Sequence, residues 1–119
     1  MKNPFRKEFV ISLNRVYDKV CIREGGEKLT LTVNGDAQRM VAGLTNAQKR
    51  MQAITDETAE TEIREISEYF STVIFGKEQT EKLFAFYADD PASVISVCGQ
   101  YFRNRLAGKI AEAQKKIKV

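Results

Sequence analysis

Histidine is absent from the 119 residues, and so is tryptophan. The first absence removes the commonest general base and the commonest transition-metal ligand together. Cysteine does not replace it. Cys21 and Cys98 stand far apart with no Cys-x-x-Cys spacing, so a zinc site is not expected. Both lie among apolar neighbours and are expected to be buried free thiols of a reducing compartment. No run of about 18 apolar residues occurs, so no membrane-spanning helix is expected. The amino-terminal MKNPFRKEF lacks the continuous apolar segment of a secretory signal. These readings point to the cytoplasm. Nor is there a phosphate-binding Gly-x-x-x-x-Gly-Lys-Ser/Thr loop, a Gly-x-Ser-x-Gly elbow or a dinucleotide fingerprint. Carboxylate pairs are the only catalytic candidates left. Asp89-Asp90 precedes Pro91 and reads as helix capping, and the acidic row Glu57, Glu60 and Glu68 reads as solvated helix surface rather than a cation site. The expectation is a protein without catalysis and without a cofactor.

What is present is a concentration of aromatic side chains. Of seven phenylalanines and four tyrosines, eight fall between Tyr69 and Phe102. Burying one phenylalanine contributes roughly 1.5–3 kcal/mol, so the largest stabilisation is expected there. Gly76 follows an apolar helical run and suits a left-handed cap. Asp90-Pro91 supplies a capping acceptor and a residue preset for the first helical turn. Three consecutive helices broken at Gly76 and at Asp89-Asp90-Pro91 are predicted. The length fits a single domain over residues 1–119.

Towards the amino terminus, Asn3-Pro4 opens a pattern in which Phe5, Phe9, Leu13, Val16 and Val20 recur at three and four. Helix is the reading taken, with a strand through residues 9–13 as the alternative, so residues 4–18 stay open between the two. Val20-Cys21-Ile22-Arg23 and Leu29 to Val33 then alternate apolar with polar around Gly25-Gly26, which predicts a β-hairpin with a two-residue turn. Asp36 caps a helix expected from about Ala37 to Ile54, whose seam is Met40, Leu44, Ala47, Met51 and Ile54. The stretch Thr55 to Thr61 links it to a helix with an apolar face of Ile63, Ile66, Phe70, Val73 and Ile74. A short helix then carries Leu83, Phe84, Phe86 and Tyr87. Four large apolar groups in five positions require burial on two sides or one side offered to a partner. On the last helix the inner face reads Val94, Cys98, Tyr101, then Leu106 or Arg105, then Ile110, Ala113 and Ile117. The predicted fold class is α+β, mainly α: a bundle of about four to five helices with one amino-terminal hairpin, divided as residues 1–35 and a helical core at 36–119.

Charge is segregated. Asp56, Glu57, Glu60, Glu62, Glu65 and Glu68 oppose only Arg64, whereas Arg103, Arg105, Lys109, Lys115, Lys116 and Lys118 stand against Glu112 alone. Such faces can pair within one molecule or head to tail between copies, with Glu57, Glu60, Arg103 and Lys109 as candidate self-association residues and a homo-oligomer as the product. Both faces can equally be solvated. A helix–break–helix from Glu78 to Leu106 invites comparison with a DNA-reading motif. Its second helix begins Pro91-Ala-Ser-Val-Ile, with nothing to read base edges, and two aspartates precede it. Nucleic acid is not the expected partner.

The pattern FGKEQTEKLFAFYADDPASVISVCGQYFRNRL, from Phe75 to Leu106, resembles tail assembly chaperones of long-tailed bacteriophages and prophages of Gram-positive bacteria. The resemblance rests on Phe75-Gly76, the run Leu83 to Tyr87, Asp90-Pro91 and the apolar helix from Val94 to Leu106. It implies a non-catalytic, mostly helical protein that coats the long apolar tape measure protein before tail-tube subunits polymerise. It also implies multimers, and a longer form made by ribosomal frameshifting for which Lys115-Lys116 permits an A-rich slippery site. It carries no fixed functional residues. From the residues themselves, Phe84, Phe86, Tyr87 and Met51 are the expected partner contacts. Phe86→Asp is expected to abolish partner binding with helix content intact. The alternatives are a structural virion component, such as a head–tail connector, and a small DNA-binding regulator.

Overall fold

The computed structural model of the protein describes residues 14–115, and its first element is the hairpin. Strands β1 (Arg15–Glu24) and β2 (Glu27–Asp36) pair antiparallel from Arg15 opposite Asp36 to Glu24 opposite Glu27. Gly25 and Gly26 make the turn at φ 56° and 84°. Positive φ at both central positions gives the turn whose twist matches that of the flanking strands. Alternation turns Val16, Val20 and Ile22 of β1, with Leu29, Leu31 and Val33 of β2, onto the helices. The open edge of β2 is covered by a side chain: the Gln79 amide accepts the Thr32 N–H at 2.8 Å and donates to the Thr32 carbonyl at 2.7 Å. An unpaired strand edge is thereby satisfied as a third strand would satisfy it.

Two expectations are corrected on β1. Val16, read as part of an amino-terminal helix, is a strand residue, and Val20, read both on that helix face and in the hairpin, belongs to the hairpin; the rest of the helix reading, including Phe5, Phe9 and Leu13, lies outside the described residues. A spacing of four satisfies one face of a strand as well as one face of a helix, and the pairing with β2 decides. Cys21 is exposed and only Cys98 is buried, both as free thiols. Cys21 shares its side of the strand with Tyr17 and Lys19, so the alternation that buries Val20 and Ile22 turns it to solvent.

Helix α1 (Ala37–Gln52) leaves the hairpin without a loop. The Asp36 carboxylate accepts the Gln38 and Arg39 N–H groups at 2.8 and 3.1 Å and the Asn14 amide at 2.9 Å. Helix α2 (Ala59–Phe75) is the central element, burying Ile66, Phe70, Ile74 and Phe75. Its cap residue Thr58 turns its hydroxyl back to Thr55 instead of capping the helix. Gly43 of α1 is buried against it, and a Cβ there would stand 2.6 Å from Val73 Cγ2, so glycine alone allows this approach. Ser67 and Ser71 are fully buried on α2. The Ser67 hydroxyl reaches the Pro91 carbonyl at 2.9 Å and Ser71 meets the Thr80 hydroxyl at 2.8 Å. Small polar groups there let the following helices come close without stranding a donor.

Gly76 joins α2 to α3 (Lys77–Phe86) at φ 88°, ψ 164°. The positive φ requires glycine, as expected, but ψ is extended, so the link is a sharp bend and not the left-handed cap predicted. After α3 the chain turns through Ala88 and Asp89, both at positive φ. Asp89 N–H returns to the Phe84 carbonyl at 2.7 Å and Ala88 N–H to Ala85 at 3.2 Å, a Schellman closure with alanine where glycine is usual. Asp90 caps α4 (Pro91–Tyr101), with Pro91 in its first turn. The rod then passes through a π-helical turn (Phe102–Leu106) into α5 (Ala107–Lys115). The three successive helices are found where the punctuation predicts them, and the fold class is α+β, mainly α.

Candidate functional site

Both α1 and the α4–α5 rod lie against α2, and between them stays an open apolar groove of about 870 Å³. Ile63 and Phe70 reach it from α2, Val41, Leu44 and Met51 from α1, and Ile95, Phe102 and Ile110 from the rod. Ser96, Gly99 and Ala107 keep the rod's wall low. Three large apolar residues are exposed among the described residues: Tyr17 at 62%, Met51 at 42% and Val41 at 37%. Two of the three, Met51 and Val41, line this groove, and Tyr17 stands on the hairpin. Methionine suits such a surface because its unbranched thioether adapts to different partners. Among the described residues, the one charged group in the lining is Arg103. Its planar guanidinium presents several N–H donors that can bind and orient an acceptor group.

The π-turn is what aims that arginine. An α-helical step from Tyr101 would put residue 105 on the inner face. With one residue inserted, Leu106 takes the fully buried position and the two arginines diverge. Arg103 lines the groove, and Arg105 leaves on the hairpin side. The sequence pattern that left Leu106 and Arg105 as alternatives is the trace of this insertion.

Arg105 reaches Asp18, donating from Nε at 2.6 Å and Nη2 at 2.8 Å, while Tyr101 Oη donates at 2.7 Å. The Asp18 side chain is 4% exposed. Burial alone would raise its pKa, but the bonds from Arg105, Tyr101 and the Lys19 N–H together hold it at about 2. Burial and the same carboxylate push the Tyr101 phenol up. This cluster locks the hairpin to the rod. Nothing at the sequence level marks Asp18, whose partners lie more than eighty positions away.

The expected partner contacts are dispersed. Met51 lines the groove, whereas Phe84, Phe86 and Tyr87 do not. Phe84, an expected partner contact, is instead buried beside Leu83 because α2, α4 and β2 all pack on α3. The Arg64 guanidinium lies 5.4 Å from the Phe84 ring centroid and pairs with Asp89 at 3.2 Å. Phe86 and Tyr87 are half-buried and meet edge to face with centroids 5.1 Å apart. Tyr87 Oη donates to Glu24 at 2.9 Å, tying α3 to the hairpin tip, and burial with that carboxylate pushes the phenol up to about 12.

Among the self-association candidates, Glu57 is exposed in the turn before α2 and Glu60 in its first turn, Arg103 is in the groove and Lys109 is half-buried on α5. No ion pair joins the acidic and basic helices among the described residues. Arg50 of α1 serves the acidic face instead, at 3.3 Å from Glu62 and 3.0 Å from Glu65. No protein-family model matches the chain, and neither a curated protein nor a solved structure matches it.

Proposed function

We propose that this protein is a non-catalytic binding protein of phage or prophage tail assembly, holding apolar helical segments of the tape measure protein in the bacterial cytoplasm before the tube closes around them. The observation that carries the reading is the groove, an open apolar trench with Met51 and Val41 exposed in it. Helices recognise such trenches through residues at i, i+3, i+4 and i+7, and low walls at Gly99 and Ala107 let a helix backbone approach. The resemblance from Phe75 to Leu106 supplies the identity of the partner. Assembly of copies head to tail, through Glu57 and Glu60 of one and the basic rod of the next, belongs to the same reading.

The test is copurification with apolar helical segments of a phage tape measure protein. Met51→Glu and Val41→Glu should each abolish capture while far-UV circular dichroism stays unchanged. Capture that survives both substitutions removes the groove from the reading. Presence of the chain in purified particles would make it a structural component instead. Sedimentation at low and high salt checks the assembly, and a monomer at both across micromolar concentrations removes it.

A further inference from the structure

The outward face of the hairpin has a composition that packing does not explain. Arg15, Tyr17, Lys19, Cys21 and Arg23 of β1 stand opposite Asp36, Asn34, Thr32, Thr30 and Lys28 of β2. The two-residue period has sorted charge by sign. All four cations of the hairpin point outward, while Asp18, Glu24 and Glu27 share the other side with the core residues. Two of these acids have structural partners, Asp18 with Tyr101 and Arg105, and Glu24 with Tyr87. The one outward carboxylate, Asp36, is committed to the N-cap of α1. None of the outward cations has a carboxylate at ion-pair distance among the described residues.

Two details distinguish this face from an ordinary solvated one. Arg23 and Lys28 are directly opposed across the ladder, and like charges so placed destabilise a hairpin. A surface shaped for solubility alone intersperses the signs. Between Arg15 and Lys19 stands Tyr17, the most exposed large apolar residue described, at 62%. Asn34 Oδ1 accepts from Arg15 at 2.6 and 3.2 Å, holding that guanidinium against the face.

We infer that this face binds single-stranded nucleic acid, with phosphates along the cation row and an unpaired base stacked on Tyr17. Cations on β1 recur every fourth residue, about 13 Å apart at a rise of roughly 3.3 Å per residue. The row therefore spans about 26 Å, which matches the shorter single-strand sites of about four nucleotides and upward. An acidic peptide would use the cations and leave the exposed ring without a role. The helix–break–helix that lacks base-reading side chains is a different element, and its aspartates do not face this ribbon. The inference is independent of the groove.

Fluorescence anisotropy tests it, using the full chain and a fluorescein-labelled oligothymidylate of about 15 nucleotides. With four phosphate contacts, affinity should fall about 50-fold between 50 and 200 mM salt. Tyr17→Ala should weaken binding at least about fivefold, and Tyr17→Phe should restore it, because stacking needs the ring and not the hydroxyl. Lys19→Gln with Arg23→Gln should flatten the salt slope by about 1.4. All three positions are solvent-facing, so circular dichroism should not change. Absence of binding at 50 mM salt overturns the inference. So does competition by polyglutamate equal to that by the oligonucleotide, an unaltered affinity in Tyr17→Ala, or tighter binding of a duplex of the same length.

Discussion

Helix α3 brings Leu83, Phe84, Phe86 and Tyr87 into a short span, and the longer α1 brings Met40, Val41, Leu44 and Met51. On α3 the first pair is sealed and the second half-covered, whereas on α1 Met40 is sealed but Val41 and Met51 stay more than a third exposed. Each helix has three neighbours, α2, α4 and β2 around α3 and α2, β2 and α5 around α1. The difference is one of coverage, because the longer α1 is not enclosed. Its remaining side faces the groove. The density of large side chains along a helix therefore measures how much burial it needs, not where a partner will sit. Exposure is decided by how far apart the neighbouring helices stand.

That comparison is broken most directly by truncation on each side. Leu83→Ala removes a fully buried side chain from the closed side and should cost about 3 kcal/mol in urea unfolding, where cavity and transfer terms add. Met51→Ala, at an open position, should stay within about 0.5 kcal/mol. Equal losses would mean that the groove side is as well packed as the α3 side. Gly43→Ala tests the joint between the two sides. The new Cβ would meet Val73 at 2.6 Å, so α1 must move off α2 at a cost of about 1–3 kcal/mol. If the groove is the gap between α1 and the rod, its affinity for an apolar helix should change in the same variant.

The parts of the fold that were legible in the sequence are those dictated by local chemistry. Gly25-Gly26 between alternating runs, Asp36 before Ala37 and Asp90-Pro91 each need only their neighbours, and each is where it was expected. Gly76 was legible as a break but not in its geometry. The five-residue step from Tyr101 to Leu106 held the π-turn in plain view as an ambiguity of face. What stayed hidden depends on distant pairing. Val16 and Val20 fit helix and strand alike until β2 is laid beside them. The groove is set by the placement of helices: Met51 was named as a contact, but the wall it faces, with Ile95, Phe102 and Arg103, comes from the distant rod. Asp18 was invisible because a lone aspartate near a strand start is ordinary until Tyr101 and Arg105 arrive.

The hold of the hairpin on the rod sharpens the comparison through pH. The Asp18 pKa lies at about 2 in the folded chain against an ordinary 3.8. A carboxylate with a lowered folded pKa adds stability above the unfolded value and loses it as pH falls through the folded one. The contribution should be complete above about pH 4 and gone near pH 2. Arg105 is 58% exposed on its side chain, so solvent screening reduces the shift to about 1–2 kcal/mol of stability. Asp18→Asn should lose that amount in urea unfolding at pH 7. The gap between wild type and variant should narrow between pH 4 and 2.5, and a gap that stays constant would show that Asp18 is not ionised against Arg105.

The smallest effect concerns the loop that closes the α3 side. Ala88 sits at φ 52° in the position where a Schellman closure favours glycine. An L-residue there meets its own Cβ against the following carbonyl, a strain of about 1–2 kcal/mol that glycine does not carry. Glycine also gives the unfolded chain more freedom, which offsets part of the relief. The balance predicts that Ala88→Gly stabilises the protein by about 0.5–1 kcal/mol, visible as a raised midpoint in urea with an unchanged slope. The bonds Asp89 N–H to Phe84 and Ala88 N–H to Ala85 need no side chain at position 88, so they survive the change. A loss of stability instead would mean that the Ala88 methyl packs on the α3 end and helps seal it, extending the closed side by one turn.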